Sequence, residues 1–197
     1  MPASDSTHCS SAITPTWSST SNEEVQKEVQ RVFQTAEGEW EVHSEDLVKR
    51  VFGEDAPEEY DRTWYCDNAG AKWLYGSSED DSEYEQVVRI TSAWDAVNGW
   101  VERFAENLRK IKEDVVVHNT FEDEGYNFAG VYLTAKYYDD VEMVDMDEYD
   151  VDKIWEDDDV REAYHDELHQ ILMDHKEAYQ NTLEDVKENP ENYEDYE

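Results

Sequence analysis

The chain has 197 residues, of which 52 are Asp or Glu against 16 Lys or Arg, a formal net charge of −36. So strong a polyanion repels DNA, RNA and anionic membranes, which argues against nucleic acid as a direct ligand and leaves basic protein surfaces or divalent cations as partners. Apolar residues at 38% and aromatics at 13% are enough for a core, so the chain is expected to fold, as one domain or as a domain of about 120–140 residues with a helical extension.

In chain order, "HCSSAITPTW" is small and β-permissive, and its Ser and Thr residues with Pro15 suit an edge strand. A capping series Ser19–Asn22 and the acids Glu23 and Glu24 then precede Val25, Val29, Val32 and Phe33 at helical spacing, with Gly38 placed as a stop. "SEDLVKRVF" reads as a short helix capped by Ser44, and "GEDAPEEYD" as a loop broken by Pro57. In "TWYCDNAGAKWLYG", Trp64, Cys66, Trp73 and Tyr75 flank a turn at Asn68–Gly70, and "AKWLYG" is expected to pair with "EYEQVVRITSAW" across "SSEDDS".

After Asp95, the residues Val97, Trp100, Val101, Phe104, Leu108 and Ile111 predict an amphipathic helix with basic residues in its second half. "VVVHNTF" and "NFAGVYLTAKYY" read as two strands joined by "EDEG", with Gly125 in the left-handed position of the turn. The order β, α, β, β, α, β, β is the split βαβ plan, an α+β ferredoxin-like antiparallel sheet backed by two helices.

Three stretches make that expectation more specific. "NAGAKWLYG", "ITSAWDAVNGWVERFAENL" and "EDEGYNFAGVYL" resemble, in order and spacing, the Trp-Gly-Thr-Lys-Trp, Thr-Ala-Trp and Gly-x-x-Phe-Ala-Gly elements of the YubB-like ferredoxin-fold domain of small phage and plasmid proteins. The resemblance spans Thr7 to Tyr138; Ala71 stands where the family has Thr, and no Pro follows Trp94. It implies a fold and a mobile-element origin, not an activity. Within that fold the Trp73 and Trp94 strands, with Phe128 opposite, are expected to form the aromatic centre of the sheet, and Lys72 to alternate onto the other face. An aromatic platform for stacking bases fails for want of a basic groove.

The division expected is 1–138 as the ferredoxin-like domain and 139–197 as an acidic linker, a long amphipathic helix and an acidic tail. From Tyr137 onward there are 24 acids and 4 bases, a net −20, against −16 for the first 136 residues. Trp155, Val160, Tyr164, Leu168, Ile171 or Leu172, His175, Tyr179, Leu183 and Val186 recur every three to four residues, which predicts one helix over Ile154–Lys187. That stripe is expected to pack across the ferredoxin-like unit, or on its twin in a homodimer.

Catalytic and metal signals are thin, and neither an enzyme nor a cofactor is expected. His165 and His169 in "HDELH" share a helical face as in a zincin, but Asp166 stands where that motif needs Glu. Asp145–Glu156 has acids at loop positions 1, 3 and 12 of an EF-hand, yet Asp150 occupies the Gly position. Cys9 and Cys66 form no C-x-x-C and suit a reducing compartment. With neither a secretion signal nor an apolar run of about 18 residues, the chain is read as cytoplasmic in a host cell.

The functional expectation is therefore an acidic protein-binding module of a mobile element, a DNA mimic that occupies the basic surface of a host nucleic-acid-binding defence factor of restriction or CRISPR type. A structural virion protein or a halophile-adapted interaction protein is the alternative. The expected contact residues are Asp139, Asp140, Asp145, Asp147, Asp150, Asp157, Asp158, Asp159, Glu162 and Asp166, with Tyr138, Tyr149, Trp155 and Tyr164 as apolar anchors. Charge density tempers mimicry by one helix: Glu156–Glu188 carries net −9 over about 50 Å, one charge per ~5.5 Å, whereas duplex DNA has one per about 1.7 Å.

Overall fold

The structure, a computed structural model, describes residues 8–16, 23–34, 41–78, 87–93 and 95–196. The elements are β1 (His8–Thr16), α1 (Glu23–Phe33), β2 (Glu41–Val42), α2 (Ser44–Phe52), the single turn α3 (Arg62–Trp64), β3 (Leu74–Ser78), β4 (Val88–Ala93), α4 (Asn98–Ile111), β5 (Val116–Asp123), β6 (Ala129–Ala135), β7 (Tyr138–Met143), α5 (Val151–Glu156) and α6 (Asp158–Glu188). The described strands form one antiparallel sheet in the order β2-β3-β4-β1-β5-β6-β7. The protein is thus α+β, with α1 in the connection from β1 to β3 and α4 in that from β4 to β5.

Alternation along the strands sorts side chains onto two faces. Cys9, Ile13, Val88, Ile90, Val117 and Phe121 join Val25, Val29, Val32 and Phe33 of α1, Leu47, Val48 and Val51 of α2, and Trp100, Val101, Phe104 and Leu108 of α4 in one core. Its aromatic centre comes mainly from the helices: Phe33 meets Trp100 and Phe104 edge-on at 5.6 and 5.8 Å, and Trp100 stacks on Phe104 at 5.1 Å. The Trp100 indole N–H donates to the Leu47 carbonyl at 3.2 Å, tying α4 to α2.

The "TWYCDNAGAKWLYG" stretch differs from expectation in detail. β3 begins only at Leu74, and Tyr65–Ala69 is a π-helical turn. Trp64 packs on Phe52 of α2, and Trp73 meets the His8 ring at 5.2 Å. Lys72 lies in the bend before the strand, so it does not alternate across the sheet. Two glycines permit the close approach of this turn to α4: Gly70 has φ +88°, and a Cβ at Gly99 would sit 2.3 Å from the Asn68 carbonyl oxygen.

Other expectations are corrected. β1 is the central strand, not an edge; Pro15 is tolerated because β4 stops pairing with β1 at Ile13, so that among the described residues only β5 pairs with it there. Ser44 does not cap α2 but is its first residue, and its hydroxyl donates to the Leu74 carbonyl at 2.6 Å and accepts from the Leu74 N–H at 2.9 Å. The left-handed residue of the β5–β6 turn is Tyr126 (φ 53°) rather than Gly125. Its ring packs on Trp155 and Tyr164, and the Asp123 carboxylate accepts the Gly125 and Asn127 N–H groups. The Ser19–Asn22 cap, the Gly38 stop, most of the "SSEDDS" loop and Trp94 lie outside the described residues.

The expected linker contains β7, which extends the sheet beyond β6. The expected single helix is two, broken at Asp157, whose carboxylate accepts the N–H groups of Asp159 and Val160. Tyr164, Leu168, Ile171, His175 and Tyr179 of α6 are buried on the second sheet face, against Ala129, Val131, Leu133 and Ala135 of β6. The stripe packs on the sheet of its own chain.

Beneath α6, His118 of β5 is only 8% exposed and its Nδ1 has no hydrogen-bond partner among the described residues. Burial, with the nearby Lys176 charge adding to it, pushes its pKa down to about 4. Such a histidine stays neutral when folded but takes up a proton near pH 6.5 when unfolded. Its contribution is therefore intact above about pH 6.5 and is lost on acidification toward pH 4. Chemical denaturation of the protein and of His118→Leu at several pH values tests this: the stability difference is expected to move in favour of the variant by about 3 kcal/mol over that window.

Candidate protein-binding surface

All ten acids singled out in the sequence are exposed, because a carboxylate without a buried partner stays in water. Their roles differ. Asp157 caps α6, Asp145 accepts the Asp147 N–H at 3.1 Å, Asp158 pairs with Arg161, and Asp150 pairs with Lys153 at 3.5 Å. Asp139, Asp140, Asp147, Asp159, Glu162 and Asp166 make no ion pair among the described residues.

Helical geometry then groups part of the set. With Tyr164, Leu168 and His175 turned to the sheet, a rotation of 100° per residue places Asp159, Asp166, Glu177 and Glu184 within a narrow stripe on the opposite side of α6, flanked by Glu162. Successive members of the stripe are about 10–17 Å apart along the axis. Glu177 and Glu184 are not among the ten, although the period that marks the buried stripe marks them too.

β7 adds to this surface only in part. Asp140 and Glu142 share the sheet face on which α6 lies, since their register partners Leu133 and Val131 belong to the cores beneath it. Asp139 faces the other way and accepts the Tyr132 hydroxyl at 2.5 Å. Burial, reinforced by that carboxylate, raises the Tyr132 pKa. The ten acids therefore do not all lie on one face.

The four expected anchors divide as sharply. Trp155 is 58% exposed and meets Tyr126 edge-on at 5.0 Å. Tyr164 is fully buried and its hydroxyl donates to Glu122 at 3.2 Å, so it is a core residue and not a contact. Tyr138 is half-buried and hydrogen-bonds His175 Nδ1 at 2.7 Å, and Tyr149 donates to Glu167. Burial and the Glu167 carboxylate push the Tyr149 pKa up to about 12.

The far half of the second sheet face is not covered by α6. A cavity of about 280 Å³ lies there, lined by Ser10, Ala12 and Thr120 of the sheet and by His165, Leu168 and His169 of α6. Its neighbour of about 350 Å³ reaches Trp155. His165 and His169 share this side of α6, yet among the described residues no group of three or more His, Cys, Asp or Glu could hold a metal ion. The Asp145–Glu156 segment is a 3₁₀ turn followed by α5. Cys9 is buried, and burial pushes its thiol up to about 12, which disfavours the reactive thiolate.

Among the described residues no helix is long and apolar enough to cross a membrane. Compared with protein-family models, curated proteins and solved structures, the chain matches none.

Thermal or denaturant unfolding separates acids that support the fold from acids that only face solvent. Asp157→Ala is expected to cost about 1 kcal/mol through the lost cap. Asp166→Asn is expected to change stability by no more than about 0.5 kcal/mol, in the stabilising direction because Glu162 lies four residues before it.

Proposed function

We propose that the protein is an acidic protein-binding module that occupies the basic surface of a nucleic-acid-binding protein and competes there with nucleic acid. The observation that carries this reading is the exposed stripe Asp159, Glu162, Asp166, Glu177 and Glu184, whose members make no ion pair among the described residues. Charge of this kind steers association over about a Debye length, roughly 8 Å at physiological ionic strength, and sets on-rate and orientation more than affinity. Apolar contact must supply the rest, and exposed Trp155 at the head of α6 is the anchor.

The same reading takes the core as a ferredoxin-like unit. The neighbour order β3-β4-β1-β5, with α1 and α4 in the two crossovers, supports it. The motif resemblance, and not the strand order, is what suggests a phage or plasmid origin, and with it a host cytoplasm and a restriction- or CRISPR-type factor as the target. A single stripe on α6 is sparser than a phosphate backbone, so the mimic surface includes Asp140 and Glu142 of β7 beside it.

Affinity capture from bacterial lysate tests the proposal. Immobilised protein is expected to retain nucleic-acid-binding proteins that elute with salt and with competing duplex DNA. The fivefold variant Asp159→Asn, Glu162→Gln, Asp166→Asn, Glu177→Gln, Glu184→Gln is expected to retain them several-fold less well while unfolding at an unchanged or higher temperature. Equal retention by both proteins, or no displacement by DNA, contradicts it.

A further inference from the structure

β7 ends the sheet, and no strand among the described residues covers its outer side. The phase of its pairing is fixed where the Val144 N–H donates to the Ala129 carbonyl at 3.0 Å. In an antiparallel pair the backbone groups of successive residues alternate between the partner strand and the outside. Counting back from Val144, Glu142, Asp140 and Tyr138 face β6, and Met143, Val141 and Asp139 turn their N–H and C=O groups outward. Among the described residues only the Val141 N–H of this outer row is engaged, by the Asp140 carboxylate at 2.9 Å.

The side chains give this edge a definite character. Val141 and Met143 are 46% and 49% exposed and, two residues apart, lie on one face. Asp140 and Glu142 are exposed on the other. Uncovered edges of mixed apolar character are templates for strand addition.

We propose that β7 docks an extended segment of the partner in which Lys or Arg alternates with apolar residues, adding a strand to the sheet; this rests on the acidic-module reading above. Charge and pattern select the occupant. A cation opposite Asp140 draws its carboxylate off the Val141 N–H and frees that group for the new ladder, while the intervening apolar residues cover Val141 and Met143. A second copy of this chain is a poor occupant, because pairing two β7 edges about Val141 sets Asp140 and Glu142 of one copy against Glu142 and Asp140 of the other. The acids that block self-association thus select for a basic strand.

The test uses the intact protein and an end-blocked peptide of about nine residues that alternates Lys and Val, a length matched to a strand. Binding is followed by fluorescence anisotropy, and amide hydrogen exchange by NMR. The peptide is expected to bind and to protect the amides of Asp139, Val141 and Met143. N-methylation of the peptide's alternate amides is expected to weaken binding by about tenfold or more, and so is Val141→Pro, whose missing N–H is one that β6 does not use. An unchanged Tm confirms that Val141→Pro leaves the fold intact. If the N-methylated peptide binds as well as the parent and the β7 amides stay unprotected, charge alone acts and the docking edge is refuted while the acidic module stands. If no lysine peptide binds even at low salt, the acidic-module reading falls and the edge proposal with it.

Discussion

The outer half of this molecule depends on the burial of one helical stripe. Tyr164, Leu168, Ile171, His175 and Tyr179 hold α6 on the second face of the sheet. Burying a large apolar side chain contributes about 1.5–3 kcal/mol, whereas a like-charge pair one helical turn apart costs a few tenths. Apolar burial therefore wins over the self-repulsion of a helix with ten acids and three bases. With the stripe fixed, every remaining carboxylate of α6 is left at the margins or the outside, so the acidic surface is a consequence of packing as much as of composition.

The two sheet faces are unequal because of this. The first is closed by α1, α2 and α4 with an aromatic centre at Phe33, Trp100 and Phe104. The second is covered over β5, β6 and part of β7; over β1 and β4, among the described residues, α6 does not reach, and one cavity there is lined by Ser10, Ala12, Thr120, His165 and His169 and another by Ser10, Thr91 and Trp155. Exposed Trp155 stands at the junction between the open half and the acidic helix.

The parts of this arrangement legible in the sequence are those with a long apolar period. Val25, Val29, Val32 and Phe33, the Trp100–Leu108 face, the β3–β4 pairing and the Tyr164–Tyr179 stripe all declare themselves through spacing. What was obscured depends on neighbours distant in the chain. The Ser and Thr residues of β1 look like an edge strand because half of that central strand faces the open side. β7 looks like a linker because Asp140–Met143 alternates acid and apolar residues without a buried face. Tyr164 looks like a surface anchor since it stands among acids, yet its position in the helical period makes it core. Tyr126 in a left-handed turn is held by rings from α5 and α6, some 30 residues and more away in the chain.

We propose the outward carboxylates of α6 as a contact surface and not merely solvated charge. Carbodiimide labelling of carboxyl groups, read by mass spectrometry on the protein alone and in complex with a captured partner, tests it most directly. Asp159, Glu162, Asp166 and Glu177 are expected to lose reactivity in the complex while acids on the first sheet face, such as Glu28 and Asp55, keep theirs. A stable complex in which the α6 carboxylates label as fast as in the free protein shows that they are solvated charge and not a contact surface.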